Sequence, residues 1–192
     1  MARLATIHRK TNETDIRLEL NLDGGPYSNE TGVGFFDHML DHVARHGRFG
    51  VKLKAEGDYH IDDHHTVEDV GIVFGQALEK ALGDKKGIER YGFASVPMDE
   101  TLARVGVDLC GRSSLVFSVN FPSRKIGTFE TQLVKEFLHA LTNNGRFACH
   151  VEVPHGVNDH HVAEAIFKAL GRALRDAVRI TGKDVPSTKG SL

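Results

Sequence analysis

The chain has no tryptophan, only two cysteines and only five prolines among its 192 residues. So little cysteine excludes a disulfide-stapled scaffold. Cys110 and Cys149 form no spaced pair, which also excludes a structural zinc site built from thiolates. A reducing, cytoplasmic setting is therefore expected. No apolar run is long enough to span a bilayer, and Met1–Thr6 carries no apolar signal segment, so no membrane association is expected. Neither sign of charge prevails: 24 Lys and Arg stand against 26 Asp and Glu, a net charge of −2, which gives no electrostatic case for nucleic acid. Hydrophobic residues at 40% and charged residues at 26% are ordinary for a soluble globular chain with room for one large domain or two small ones.

What the chain has in quantity is histidine, 12 residues in all. Two pairs stand in the same frame. Asp63-His64-His65-Thr66-Val67-Glu68 is answered by Asp159-His160-His161-Val162-Ala163-Glu164, 96 positions on (160 − 64), half the chain length. The match runs further: Gly75-Gln76-Ala77-Leu78 is answered by Gly171-Arg172-Ala173-Leu174. This is a duplicated module carrying one HHxxE set per half.

The spacing favours metal. Residues four apart share a helix face, so His64 can close on one ion with Glu68, and His160 with Glu164. His65 and His161 are rotated by about 100° and point elsewhere. The economical arrangement has two ions, one held by His64, Glu68 and His161, the other by His160, Glu164 and His65. These ligands can meet within one chain or between subunits. Mixed imidazole and carboxylate donors suit Mn, Fe, Zn, Co or Ni rather than Ca or Mg.

Taken in order, residues 3–9 and 15–22 read as strands, the second with Ile16, Leu18, Leu20 and Leu22 on one side. Residues 27–34 read as a loop. A helix is expected over Phe35–His46, a strand over Val51–Ala55 and a helix over His64–Leu82. Gly83–Gly87 is a turn-rich boundary, which predicts one α+β repeat over residues 1–86 and a second over 87–192, packed through their helices into one compact unit. The second half reads as strands at Tyr91–Pro97, Leu102–Leu109 and Ser114–Phe121, a helix over Thr131–Asn143, a strand at Cys149–Val153 and a helix from His160 to Ile180. Val185–Leu192 reads as a loop tail. The expected fold is α+β, a duplicated half-domain whose halves are each a mixed sheet with two helices on one face.

Phe36-Asp37-His38-Met39-Leu40-Asp41-His42, Asp62-Asp63-His64-His65-Thr66-Val67-Glu68-Asp69, Pro97-Met98-Asp99-Glu100, Gly111-Arg112, Asn158-Asp159-His160-His161 and Pro186-Ser187-Thr188-Lys189-Gly190 together resemble the imidazoleglycerol-phosphate dehydratases, almost end to end. The resemblance implies a lyase of histidine biosynthesis that removes water from D-erythro-imidazole glycerol phosphate to give imidazole acetol phosphate. It implies a ribosomal protein S5 domain 2-like fold, two Mn(2+) per active site, and a homo-oligomeric shell of about 24 subunits with active sites shared between them.

The implied metal set is His38, His64, His65, Glu68, Glu136, His160, His161 and Glu164. Many members have histidine where this chain has Glu136, the approximate counterpart of His38 in the repeat. A carboxylate can still ligate Mn(II). His139, one turn on, competes for the role. Two metals on the ring nitrogens would favour an imidazolate that expels the hydroxyl through a diazafulvene-like state. Glu13 is the first choice for moving the proton, and it also contacts substrate. His46, Glu68 and Glu164 are the alternatives, with His46 a further substrate contact. Arg90, Arg112, Lys168, Ser187 and Lys189 are the implied phosphate site. His42, His60, His150 and His155 are left as supporting or structural histidines.

Two other classes use similar donors. A dinuclear phosphohydrolase needs a carboxylate bridging metals about 3.5–4 Å apart. A metal-stapled shell without turnover needs no phosphate site.

Overall fold

The computed structural model describes residues 3–190 and 192. The first expected repeat begins at Met1 and Ala2 and the expected tail loop includes Ser191; those three residues lie outside the described ones. The elements run β1 (Leu4–Lys10), β2 (Thr14–Asn21), β3 (Tyr27–Glu30), α1 (Gly34–Gly47), β4 (Gly50–Gly57), α2 (His64–Leu82), β5 (Tyr91–Met98), β6 (Thr101–Asp108), β7 (Ser114–Ser118), β8 (Lys125–Ile126), β9 (Phe129–Glu130), α3 (Gln132–Gly145), β10 (Ala148–His155) and α4 (Asp159–Ala177).

The two large sheets repeat one plan. The first has the order β1-β2-β4-β3 and the second β5-β6-β10-β7. In each, the outer pair (β3 with β4, β7 with β10) is parallel and the others are antiparallel. The fold is thus α+β with a duplicated half-domain. The strands before the first helix recur 87 positions on (91 − 4), whereas that helix and the next strand recur 98 positions on (148 − 50). The difference lies between β7 and α3, where the second half alone carries the small β8–β9 hairpin.

Alternation decides which sheet face is inside. Ile16, Leu18 and Leu20 of β2 are fully buried while Arg17 and Glu19 face out. The buried face of the first sheet receives α2, and that of the second receives α4. Contacts then cross between halves: α1 packs on α4, and α2 on α3. A glycine sits at each crossing. A Cβ on Gly171 would stand 2.8 Å from the Val43 carbonyl of α1, and one on Gly75 would stand 2.6 Å from the Leu141 carbonyl of α3. These are the glycines of the repeated Gly-x-Ala-Leu pattern, and their missing side chains let the backbones approach. In the interior between the halves Phe36 meets Phe137 edge-on, and Phe137 stacks on Phe167.

Three expected boundaries are corrected. Residues 27–30 are a strand rather than loop, an edge strand that pairs parallel with Val51–Lys54. β7 stops at Ser118, three residues before the expected end. α4 stops at Ala177, because Ile180 leaves the helix to bridge Ile88. Among the described residues, no helix is long and apolar enough to cross a membrane.

Candidate active site

The α1 helix buries Phe36, Met39, Leu40 and Val43. A stripe of His38, His42 and His46, four residues apart, runs along another face. Their rings stand 4.5 Å and 5.7 Å apart. α1 crosses α4 where α4 presents His160, Glu164 and Lys168, again four residues apart. His160 Nε2 lies 3.0 Å from Glu164 Oε2, and His38 Nε2 lies 3.4 Å from the same oxygen. His42 Nε2 is 3.2 Å from Glu164 Oε1, and the Lys168 ammonium donates to that oxygen at 2.6 Å. His38, His160 and Glu164 each offer one ligand atom, and these atoms lie within 4.8 Å of one another. Ligands on a transition ion at about 2.0–2.2 Å stand at most roughly 4.4 Å apart, so this trio needs little adjustment to close on one ion.

Burial pushes the Glu164 carboxyl up, but Lys168, His42 and His160 outweigh it and hold the group at about 2. It is therefore a carboxylate at neutral pH. Burial drives His42 down to about 4, against the pull of Glu164, and burial also lowers His46. Both rings are neutral at pH 7.

The start of α4 is fixed locally. Asn158 caps it, its side chain accepting from the backbone N–H of His160 and His161. At α2, Asp62, one residue before the N-cap Asp63, accepts from the N–H of His64 alone, at 2.8 Å. In each set the second histidine is anchored through Nδ1: His65 to Asp58 at 2.9 Å, His161 to Glu100 at 2.8 Å. Each anchor leaves Nε2 directed outward, the arrangement by which a carboxylate orients a metal-binding imidazole. The bond from His65 lowers Asp58, and the bond from His161 lowers Glu100. His64 Nε2 is 3.9 Å from Glu68 Oε2, so this pair shares a helix face as the spacing predicts. Glu13, in the β1–β2 turn, stands with its carboxylate 3.8 Å from His65 Nε2.

Arg90, Arg112, Ser187 and Lys189 line one open pocket of about 570 Å³, with the tail forming one of its walls. Arg90 is already committed there. It donates to Asp108 at 2.7 Å and to the Pro186 carbonyl at 2.8 Å, and it lies over the Tyr91 ring. Arg112 is the freer guanidinium for an anion. Lys168 is not in this pocket; its ammonium donates to Glu164 and lies 3.7 Å from Met98 Sδ. Glu136 is half-buried on α3 and makes no ion pair among the described residues.

A single chain therefore presents three groups: Glu13 with His64, His65 and Glu68; His38 with His160, His161, Glu164 and Lys168; and the tail pocket. Among the described residues, no hydrogen bond or ion pair joins one HHxxE set to the other. Neither expected triad forms inside one chain, because α4 packs on α1 and α2 on α3. Sequence reasoning missed the anchor Asp58 and gave Glu100, quoted within Pro97-Met98-Asp99-Glu100, no role of its own; the loops before α2 and between β5 and β6 bring them into place. It also gave no role to Asp99, whose carboxylate is 3.5 Å from His161 Nε2 on left-handed backbone, φ 47°.

Fold and donors define a class: a duplicated α+β protein with an imidazole–carboxylate set at the start of one long helix in each half, and a separate cationic pocket. The family model for imidazoleglycerol-phosphate dehydratase matches residues 31–174. The imidazoleglycerol-phosphate dehydratases of Ruegeria pomeroyi and Paracoccus denitrificans are each 56% identical, over 99% of this chain and all of theirs. The crystal structure of the enzyme from Staphylococcus aureus superposes with a TM-score of 0.85 at 42% identity, covering 93% of this chain and 99% of that one. The Pyrococcus furiosus structure, in complex with (S)-C348, gives 0.86 at 35% identity, covering 97% and 100%. The chain belongs to the imidazoleglycerol-phosphate dehydratase family. Nothing in these comparisons favours the phosphohydrolase reading.

Proposed function

We propose that this protein dehydrates imidazole glycerol phosphate to imidazole acetol phosphate, a step in the making of histidine. The observation that carries the reading is the His38–His160–Glu164 donor set, assembled from both halves, in a chain of this family. The residues present suit two Mn(2+) ions, held by His38, His64, His65, Glu68, Glu136, His160, His161 and Glu164. Bound there, divalent ions would act as Lewis acids and as a template for the imidazole ring.

The reaction removes a proton from carbon and a hydroxyl from its neighbour; the two leave as water, and the resulting enol becomes the ketone. Arg112 and Lys189 would bind the phosphate, with Ser187 donating and Arg90 holding the tail in place. Glu13, exposed beside His65, would be the carboxylate that moves a proton. His46, kept neutral by burial, is the next candidate. Because one chain leaves the two HHxxE sets unjoined, we assign the complete site to a homo-oligomer, of about 24 subunits, in which neighbouring chains each supply one set. Two free, buried cysteines suit a cytoplasmic enzyme.

The test is to incubate the purified protein with imidazole glycerol phosphate and Mn(II) and to identify products by NMR. Imidazole acetol phosphate without inorganic phosphate is expected. Release of inorganic phosphate, or no turnover with metal bound, would contradict the reading.

A further inference from the structure

The two halves use equivalent turns differently. With the 87-residue offset of the strands (101 − 14), Glu13 and Thr14 of the β1–β2 turn correspond to Glu100 and Thr101 of the β5–β6 turn. Both glutamates stand next to the second histidine of an HHxxE set. In the second half, Thr101 Oγ1 donates to Glu100 at 3.0 Å, and the backbone N–H of Val157 and of Asn158 donate to the same carboxylate oxygen. Glu100 is fully pinned and serves as the anchor of His161. In the first half the threonine turns away. Thr14 Oγ1 donates to Asp69 Oδ2 at 2.5 Å, and Arg9 Nη1 donates to that same oxygen at 2.5 Å.

Asp69 follows Glu68 on α2. It is buried, as is Thr14. Its counterpart in the second half is Ala165, and that of Arg9 is Val96, so the tie exists in the first half only. The turn itself is stiff: Thr11 Oγ1 accepts from the N–H of Glu13 at 3.1 Å and of Thr14 at 3.0 Å. The Glu13 side chain is left 53% exposed, with its carboxylate toward His65.

We infer that Asp69 is a positioning residue: through Thr14 and Arg9 it clamps the Thr11–Thr14 turn onto α2, which frees the Glu13 carboxylate and sets it beside His65. Duplicated turns thereby take two roles, a pinned anchor at Glu100 and a free carboxylate at Glu13. The inference rests on the reading of Glu13 as a residue that works on substrate.

The test is a double-mutant cycle on the assembled, Mn(II)-loaded enzyme. Thr14→Val keeps the shape and removes the donor; Thr14→Ser keeps the donor. Thr14→Val should lower kcat roughly tenfold or more, as expected for a misplaced catalytic group, with metal content unchanged. Thr14→Ser should restore most of the rate. In a Glu13→Ala background Thr14→Val should have no further effect, because the two act through one carboxylate. If Thr14→Val is as active as the parent, or costs the same factor in the Glu13→Ala background, the positioning role is wrong. If Glu13→Ala alone leaves kcat intact, the reading of Glu13 fails, and the inference with it.

Discussion

His38 Nε2 lies 3.4 Å from Glu164 Oε2, although 126 residues separate them in sequence. Their meeting is a property of the α1–α4 crossing, which joins one half of the duplication to the other. The donor set and the interface between halves are thus one construction.

That construction predicts a link between packing and metal binding. Gly171→Ala would drive a methyl against the Val43 carbonyl and the Gly47 N–H, at 2.8 and 3.0 Å. Overpacking of this kind costs about 1–3 kcal/mol. For a chain of this size each kcal/mol lowers Tm by roughly 2–4 °C. Calorimetry should show that loss, and Mn(II) titration should show weaker binding because His38 is pushed from Glu164. An unchanged Tm would mean that the crossing has slack.

The carboxylates behind the second histidines should matter although neither is a ligand. Glu100→Gln and Asp58→Asn each remove the charged acceptor from a histidine Nδ1. Such losses typically cost 10–100-fold in metal affinity or activity. Equilibrium dialysis against Mn(II) measures the effect. Parent-like affinity in both variants would show that these contacts do not orient the rings.

Metal-free protein should lose stability on acidification in two overlapping steps. His42 titrates at about 4 in the fold against 6.5 unfolded, so the unfolded chain binds the extra proton first. Its contribution is present above 6.5 and disappears as pH falls to about 4. Glu164, at about 2 against 4.5, adds a loss below 4.5 that is complete near 2. Tm of the metal-stripped protein should therefore fall from about pH 6.5 downward, and His42→Gln should flatten the upper part. A flat profile in the parent between pH 6.5 and 4 would contradict the burial of a neutral His42.

Arg112 and Arg90 line the same pocket but should differ as mutants. Arg112→Ala should raise KM for the phosphate substrate by about tenfold or more while metal content holds. Arg90→Ala should also loosen the tail, which proteolysis would report, since Arg90 holds the Pro186 carbonyl. Equal KM for parent and Arg112→Ala would remove Arg112 from the phosphate site.

The sequence made the helices legible because their signals are local. The His64–Leu82 helix has the expected limits, and the i, i+4 pairing of His160 with Glu164 follows from spacing alone. β3 escaped because Tyr27-Ser28-Asn29-Glu30 has no apolar alternation; its partner Val51–Lys54 lies beyond α1. The β8–β9 strands are two residues each, too short to show a period. Asp58, Glu100 and Asp69 are ordinary surface types in sequence. Their roles arise only when a loop, a turn and a helix meet.

The central claim is that one active site takes its two HHxxE sets from different chains. It is tested by co-expressing two inactive variants, His65→Ala and Glu164→Gln, and assaying the mixed oligomer. With random mixing, about a quarter of composite sites draw both sets intact, so activity should return to roughly that fraction of the parent's. If each site belonged to a single chain, every site would carry one lesion and the mixture would stay inactive.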